Sequence, residues 1–235
     1  MLLKNMSKNK KISLIDGSGF IFRAYYALPS LTSKNGVPIG AVLGFCNMLY
    51  KIIQEKESDK VIVIFDTSKK TFRSKIYKNY KANRGDPPED LIPQFSIIRE
   101  AVDAFKITRV ELEGFEADDL IATYARFFDS KNWSVEIVSS DKDLMQLINQ
   151  NIFMKDPIKN KIIKSNEVFE KFGVVPEKVI DVQSLAGDSI DNIPGAPGIG
   201  IKTAALLVNE FGGLEEILNN FNKIRQNKRR EAIEK

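Results

Sequence analysis

Nine acidic side chains of this 235-residue sequence stand where a folded chain could do chemistry. Asp16 and Asp66 each close a short apolar run, 11–16 and 61–66. Asp141 follows a third run, Trp133–Val138, and Asp143 lies two residues further on. Glu116, Asp118 and Asp119 open a helical pattern, and Asp188 and Asp191 are three apart, sharing one face if that turn is helical. Singly, each has an ordinary explanation as a helix cap, a first-turn acid or a turn residue leaving a strand. Together they would repel one another unless a cation holds them. Oxygen donors without imidazole or thiolate suit Mg²⁺ or Mn²⁺. Seven or more carboxylates exceed the need of one octahedral ion and match a pair about 4 Å apart, the arrangement that displaces groups at phosphorus.

The opposite charge is concentrated as well. Residues 68–84 hold seven basic side chains (Lys69, Lys70, Arg73, Lys75, Lys78, Lys81 and Arg84) and no acid, with Phe72, Tyr77 and Tyr80 between them. A charged run is usually a solvated face, but here no acid relieves the repulsion at helical spacing. Cations alternating with rings suit a surface that tracks single-stranded nucleic acid. Further on, Gly195–Ala204 contains Gly198, Gly200, Lys202 and Thr203. It is not a Walker A loop, because Ile201 separates Lys202 from the glycine. A tight glycine turn feeding a helix that opens with Lys-Thr offers N–H groups and an ammonium to a phosphate, a contact that positions without reading sequence.

The chain contains no histidine and a single cysteine, Cys46, in an apolar run. That removes imidazole catalysis, His-ligated zinc, intrachain disulfides and thiolate clusters. The N-terminal MLLKNMSKNKK has no apolar signal core, and no apolar run approaches a membrane span, so a cytoplasmic protein without membrane contact is expected. Net charge is +4, unevenly distributed.

The elements that would position these groups alternate. Strands are expected near 11–16, 61–66, 106–112 and 133–138, with helices from Gly17 to Leu28, Ile39 to Glu57, before Phe105, and Glu116 to Phe128. Strand–helix alternation implies a parallel, doubly wound α/β sheet whose strand ends gather the site. From about Asn151 a hairpin (152–155 with 161–164) leads to shorter helical segments punctuated by Pro176, Pro194 and Pro197. The expected division is a core over 1–155, including a basic arch at 68–90, and a helical extension over 156–235 with a hairpin motif at 193–212.

Six ordered segments closely resemble the 5′-nuclease (flap endonuclease) family, in the form found at the N-terminus of bacterial DNA polymerase I. They are LIDGSGFIFRAYYALP (14–29), VIVIFD (61–66), TFRSKIYKNYKANR (71–84), GFEADDLIATYA (114–125), SSDKDLMQL (139–147) and LAGDSIDNIPGAPGIGIKTA (185–204). The resemblance implies a PIN-like parallel twisted sheet flanked by helices, a helical arch and a helix–hairpin–helix-type DNA-binding extension. It implies two Mg²⁺ (or Mn²⁺) and 5′-3′ exonuclease and 5′-flap endonuclease action on DNA and RNA primers, in replication and repair. By the same likeness the nine carboxylates are the metal positions, and Lys81, Arg84 and Tyr80 act on the reacting phosphate. Arg23, Arg73, Tyr77 and Lys78 would hold substrate near the arch. Gly198, Gly200, Lys202 and Thr203 would grip duplex, with K⁺ at the 195–204 hairpin in some members.

A monomer associated with the nucleoid is expected, with a DNA polymerase as partner in cis or in trans. Two departures stand out. Ile201 replaces a residue that is often acidic in the family, and the sequence ends in a basic tail (Lys228-Arg229-Arg230) before further helices, which suggests truncation at the C-terminus. Rival readings are a weak or inactive module that binds branched DNA, a PIN-type ribonuclease and, last, a phospho-acceptor built on Asp66. Turnover of flap DNA against RNA separates them.

Overall fold

Short apolar runs rich in β-branched residues, separated by stretches of helical period, bury their backbone polar groups best as a sheet between helices. The computed structural model describes residues 10–67, 70–157 and 159–234 and contains two compact units. One takes in Met1–Lys69, Pro87–Asp141 and Gln150–Ile162, the other Lys70–Asp86, Lys142–Asn149 and Ile163–Lys235. Residues 70–86 and 142–149 belong with the C-terminal unit, because 79–83 hydrogen-bonds to 189–192 and Asp143 to Gln183. Ser68 and Lys69, the start of the basic strip, lie outside the described residues.

In the first unit the chain runs β1 (Lys11–Asp16), α1 (Gly17–Ala27), α2 (Gly40–Glu55) and β2 (Lys60–Ile64). Beyond α3 (Phe72–Ile76), in the other unit, come α4 (Gln94–Ala104), β3 (Thr108–Val110), α5 (Ala117–Asp129), β4 (Ser134–Val138), β5 (Ile152–Asp156) and β6 (Lys161–Ile163). The strand order is β3-β2-β1-β4-β5-β6. Pairs β3–β2, β2–β1, β1–β4 and β4–β5 are parallel, with Asp16 opposite Ile64 and Ile15 opposite Val138. The four-residue link from β5 to its neighbour β6 leaves only an antiparallel pair. The sheet is therefore mixed rather than wholly parallel, through the hairpin expected at 152–164.

One core packs Ile15, Val63 and Val138 from the strands against Phe20, Ala24, Phe45, Leu49, Ile98 and Val102 from α1, α2 and α4. Gly17 makes the turn from β1 into α1 possible. A Cβ there would lie 2.5 Å from the Phe65 ring and 2.9 Å from the Ile64 carbonyl, so α1 begins pressed against the exit of β2. Asp16 and Asp66 are neighbours for that reason.

The second unit contains α3 (Phe72–Ile76), turns over 78–83, a 3₁₀ segment (Asp143–Leu147), α6 (Ser165–Phe172), α7 (Val179–Ala186), α8 (Ile201–Phe211), α9 (Leu214–Asn219) and α10 (Asn227–Glu234). Helices α7 and α8 flank the loop 187–200 in a helix–hairpin–helix. Gly187 and Gly195 close its neck: a Cβ on Gly195 would sit 2.3 Å from the Ala186 carbonyl carbon, and one on Gly187 2.3 Å from the Gly195 nitrogen. Only glycines let two backbones approach so closely. Residues 188–193 are not helical. They form a tight turn closed by an antiparallel bridge between Asp188 and Ile193, so the helical condition on which Asp188 and Asp191 would share a face is not met. No helix among the described residues is long and apolar enough to cross a membrane.

Candidate metal and nucleic-acid sites

Asp16 ends β1 and caps α1. Its Oδ1 accepts the Gly19 N–H at 2.8 Å and its Oδ2 accepts the Ser139 hydroxyl at 2.8 Å. The carboxyl is pushed up to about 6, chiefly by burial. The two hydrogen bonds oppose this, while the charges of Asp66 and Asp141 add to it. Three strand exits thus bring carboxylates within electrostatic reach of one another, as expected where parallel strands end together.

Asp66 lies two residues beyond the end of β2 and is held from three sides. Its N–H donates to Ser18 Oγ at 2.9 Å, its carbonyl accepts from Arg99 Nη2 at 2.9 Å and its Oδ1 accepts the Ala117 N–H at 2.7 Å. Arg99 also donates to Glu111 Oε2 at 2.9 Å and lies over the Phe65 ring. The Asp66 carboxylate therefore sits at the start of α5, where first-turn amides favour negative charge. Glu116, Asp118 and Asp119 lie there too. Glu116 is buried, and Asp119 reaches back to its N–H at 2.9 Å, so both also serve as helix-start residues. Asp141 follows Ser139, whose Oγ accepts the Asp141 N–H at 3.0 Å. Among the described residues, no group of three carboxylates is assembled as a ready ligand set. The donors nevertheless fit a hard divalent cation, since all are oxygen and Asp16, pushed up chiefly by burial, also feels the charges of Asp66 and Asp141.

Arg23, on α1, carries a buried Nη1 without a hydrogen-bond partner among the described residues. Buried guanidinium nitrogens are seldom left so, and an anion would satisfy it.

Asp143, Asp188 and Asp191 belong to the second unit. Asp143 Oδ1 accepts from Gln183 Nε2. Asp188 Oδ2 accepts from Lys142 Nζ at 2.6 Å and its Oδ1 from the Ile190 N–H at 2.8 Å. Burial works against its ionisation, but the Lys142 ammonium and the turn amides prevail and hold the carboxyl below its ordinary range. Asp191 takes the Tyr80 hydroxyl at 3.3 Å, the Lys81 ammonium at 3.7 Å and the Arg84 guanidinium. It is the counter-ion of the arch. Asn83 Nδ2 to the Ser189 carbonyl at 2.9 Å and Asn192 Nδ2 to the Asn79 carbonyl at 2.7 Å complete the clasp.

Within the strip, Arg73 stacks on Phe72 and Lys81 on Tyr80, Tyr77 closes α3, and Lys78 is exposed. In the 195–204 hairpin the buried Ile199 anchors the loop, while Cβ atoms on Gly198 or Gly200 would meet nothing within 4 Å. Gly198 has φ +75, which favours glycine. Gly200 has an ordinary φ of −92 and open space, so neither packing nor backbone requires a glycine there. Lys202 and Thr203 stand in the first turn of α8, Lys202 exposed.

Ser18, Arg99, Ser139, Lys142 and Gln183 escaped the sequence reading. Ser139 had a signal in its position two residues before Asp141. The others are ordinary residue types whose partners are distant in sequence.

Residues 11–173 match the family described as 5′-3′ exonuclease, N-terminal resolvase-like domain, and residues 174–235 match 5′-3′ exonuclease, C-terminal SAM fold. DNA polymerase I of Rhizobium leguminosarum is 56% identical over 97% of this chain, which spans 23% of that relative. The 5′-3′ exonuclease of Aquifex aeolicus is 39% identical over 92% of this chain and 75% of its own. The chain thus spans about a quarter of the length of the polymerase relatives and three quarters of that exonuclease. In fold it resembles the bacteriophage T5 flap endonuclease solved with DNA and metal ions, with a TM-score of 0.80 at 21% identity, covering 95% of this chain and 84% of the other. With both parts of the family pattern matched in order from residue 11 to residue 235, the chain belongs to the 5′-3′ exonuclease family.

Proposed function

We propose that the chain is a divalent-metal-dependent, structure-specific 5′-3′ exonuclease and 5′-flap endonuclease acting on DNA and on RNA primers in the cytoplasm. The observation that carries this reading is the buried Asp16, loaded by the charges of Asp66 and Asp141 at the ends of adjoining strands. Asp16, Asp66, Glu116, Asp118, Asp119 and Asp141 would hold Mg²⁺ or Mn²⁺. Asp143, Asp188 and Asp191, in the other unit, are ligand candidates by resemblance alone. When bound, such ions would lower the pKa of a coordinated water and neutralise phosphoryl oxygens, chemistry that needs no histidine.

The protein's own groups bind and orient. Arg23, whose Nη1 has no hydrogen-bond partner among the described residues, would offer it to a phosphate oxygen. Lys81 and Arg84, released from Asp191, would balance charge on the phosphoryl group, and Tyr80 would donate its hydroxyl. The strip at 70–84 would follow a single-stranded 5′ arm, and Gly198, Gly200, Lys202 and Thr203 would meet duplex phosphates, with K⁺ at the same hairpin.

Cleavage of a 5′-flap duplex in Mg²⁺ tests the reading. Asp119→Asn and Asp141→Asn are each expected to lower the rate by about 10²-fold or more while flap binding persists. Unchanged rates would remove these residues from the site. Binding without turnover in saturating Mg²⁺ and Mn²⁺ would instead mark a module that recognises branched DNA.

A further inference from the structure

We infer that Ser139 is a positioning residue that couples Asp16 to Asp141 and sets the affinity of the site for its divalent cation; this rests on the function proposed above. Ser139 is buried, with 2% of its surface exposed, directly after β4. The Asp141 N–H donates to its Oγ at 3.0 Å. One lone pair of the hydroxyl oxygen is thereby used, and its single proton goes to Asp16 Oδ2, 2.8 Å away. The residue links the exit of β1 to the exit of β4 through two hydrogen bonds of fixed direction.

Asp16 Oδ1 is meanwhile held by the Gly19 N–H at 2.8 Å. Each Asp16 oxygen thus has one donor within the protein and keeps lone-pair capacity for a cation. The carboxylate can neither rotate nor withdraw without breaking one of these bonds. Asp141 is oriented by the same hydroxyl acting on its own backbone. Without Ser139 Oγ, a buried carboxylate oxygen loses its donor and the hydrogen bond from the Asp141 N–H to that hydroxyl is lost. The two carboxylates then set their positions independently, and a cation must bear the cost of ordering them. Groups that orient metal ligands in this way typically govern affinity by about 10- to 100-fold.

The test uses the full chain, with Mn²⁺ binding followed by electron paramagnetic resonance of the free ion and the Mg²⁺ dependence of flap cleavage measured in parallel. Ser139→Ala is expected to raise both the Mn²⁺ Kd and the half-saturating Mg²⁺ concentration about 10-fold or more, with a far smaller change in rate at saturating metal. Ser139→Thr, which keeps the hydroxyl, is expected to bind Mn²⁺ as the parent does. If circular dichroism shows Ser139→Ala unfolded, Ser139→Cys preserves the volume with only a weak donor, and the same loss of affinity is expected of it. Parental Mn²⁺ affinity in the folded Ala or Cys variant overturns the inference, as does a loss in Ser139→Thr equal to that in Ser139→Ala. A parent that cleaves flaps while its Ala variant keeps the same metal dependence sinks this inference alone. A parent that neither binds Mn²⁺ nor cleaves sinks the proposed function and this inference together.

Discussion

Asp16 shows a conflict between stability and activity confined to one side chain. Its carboxyl titrates near 6 in the folded chain against an ordinary 3.8, so the folded state holds the proton more tightly than the unfolded one. The stabilisation is complete below about pH 4, is lost as pH rises to about 6, and leaves a buried unpaired charge at neutral pH. Asp16→Asn keeps a good helix cap and discards the charge. Without divalent metal at pH 7.5, the variant should be more stable than the parent by on the order of 2–3 kcal/mol at most, at about 1.4 kcal/mol per pKa unit. The gap should close near pH 4. Thermal melts in chelator at both pH values check this, and equal differences at the two would contradict it. Asp16, Asp66 and Asp141 were legible in the sequence because each follows an apolar run. Ser139 and Arg99 were not, because a serine or arginine takes on its role only through a partner brought close by the sheet.

At the scale of elements, the hairpin between α7 and α8 separates glycines of two kinds. Gly187 and Gly195 are demanded by the close approach of their backbones, whereas Gly200 caps α8 in open space. Serine is a better N-cap than glycine and satisfies a first-turn N–H with its own oxygen. Gly200→Ser should therefore raise stability by a few tenths of a kcal/mol while weakening duplex binding, because the new side chain occupies the approach to those N–H groups. Melting temperature and duplex affinity, measured together, decide it; affinity unchanged would mean that α8 does not start at a phosphate. The sequence showed the glycine cluster but not this distinction, which depends on what each missing Cβ would strike. It left the conformation of 188–191 open. The i, i+3 spacing of Asp188 and Asp191 suits a helix, yet the Asp188 side chain takes up the Ile190 amide and closes a turn instead.

Across the molecule, the modest net charge of +4 conceals a separation of sign, with acids at strand ends and bases along 70–84. Binding of single strands should therefore weaken steeply with salt. Lys75→Gln combined with Lys78→Gln, both exposed lysines, should flatten the slope of log K against log salt by about 1.4, at about 0.7 per phosphate contact. A filter-binding or anisotropy titration over salt reads this directly, and an unaltered slope would take these lysines off the strand's path. The alternating pattern disclosed the α/β class. It could not disclose that 70–86 and 142–149 belong with the C-terminal unit, since the hydrogen bonds responsible join residues 40 to 113 positions apart. The strand order carries one more consequence. Among the described residues, both margins of the sheet, β3 and β6, are only three residues long. So short a border offers little template on which a neighbouring chain could add a strand, and the sheet is protected against fibre-like growth in concentrated solution.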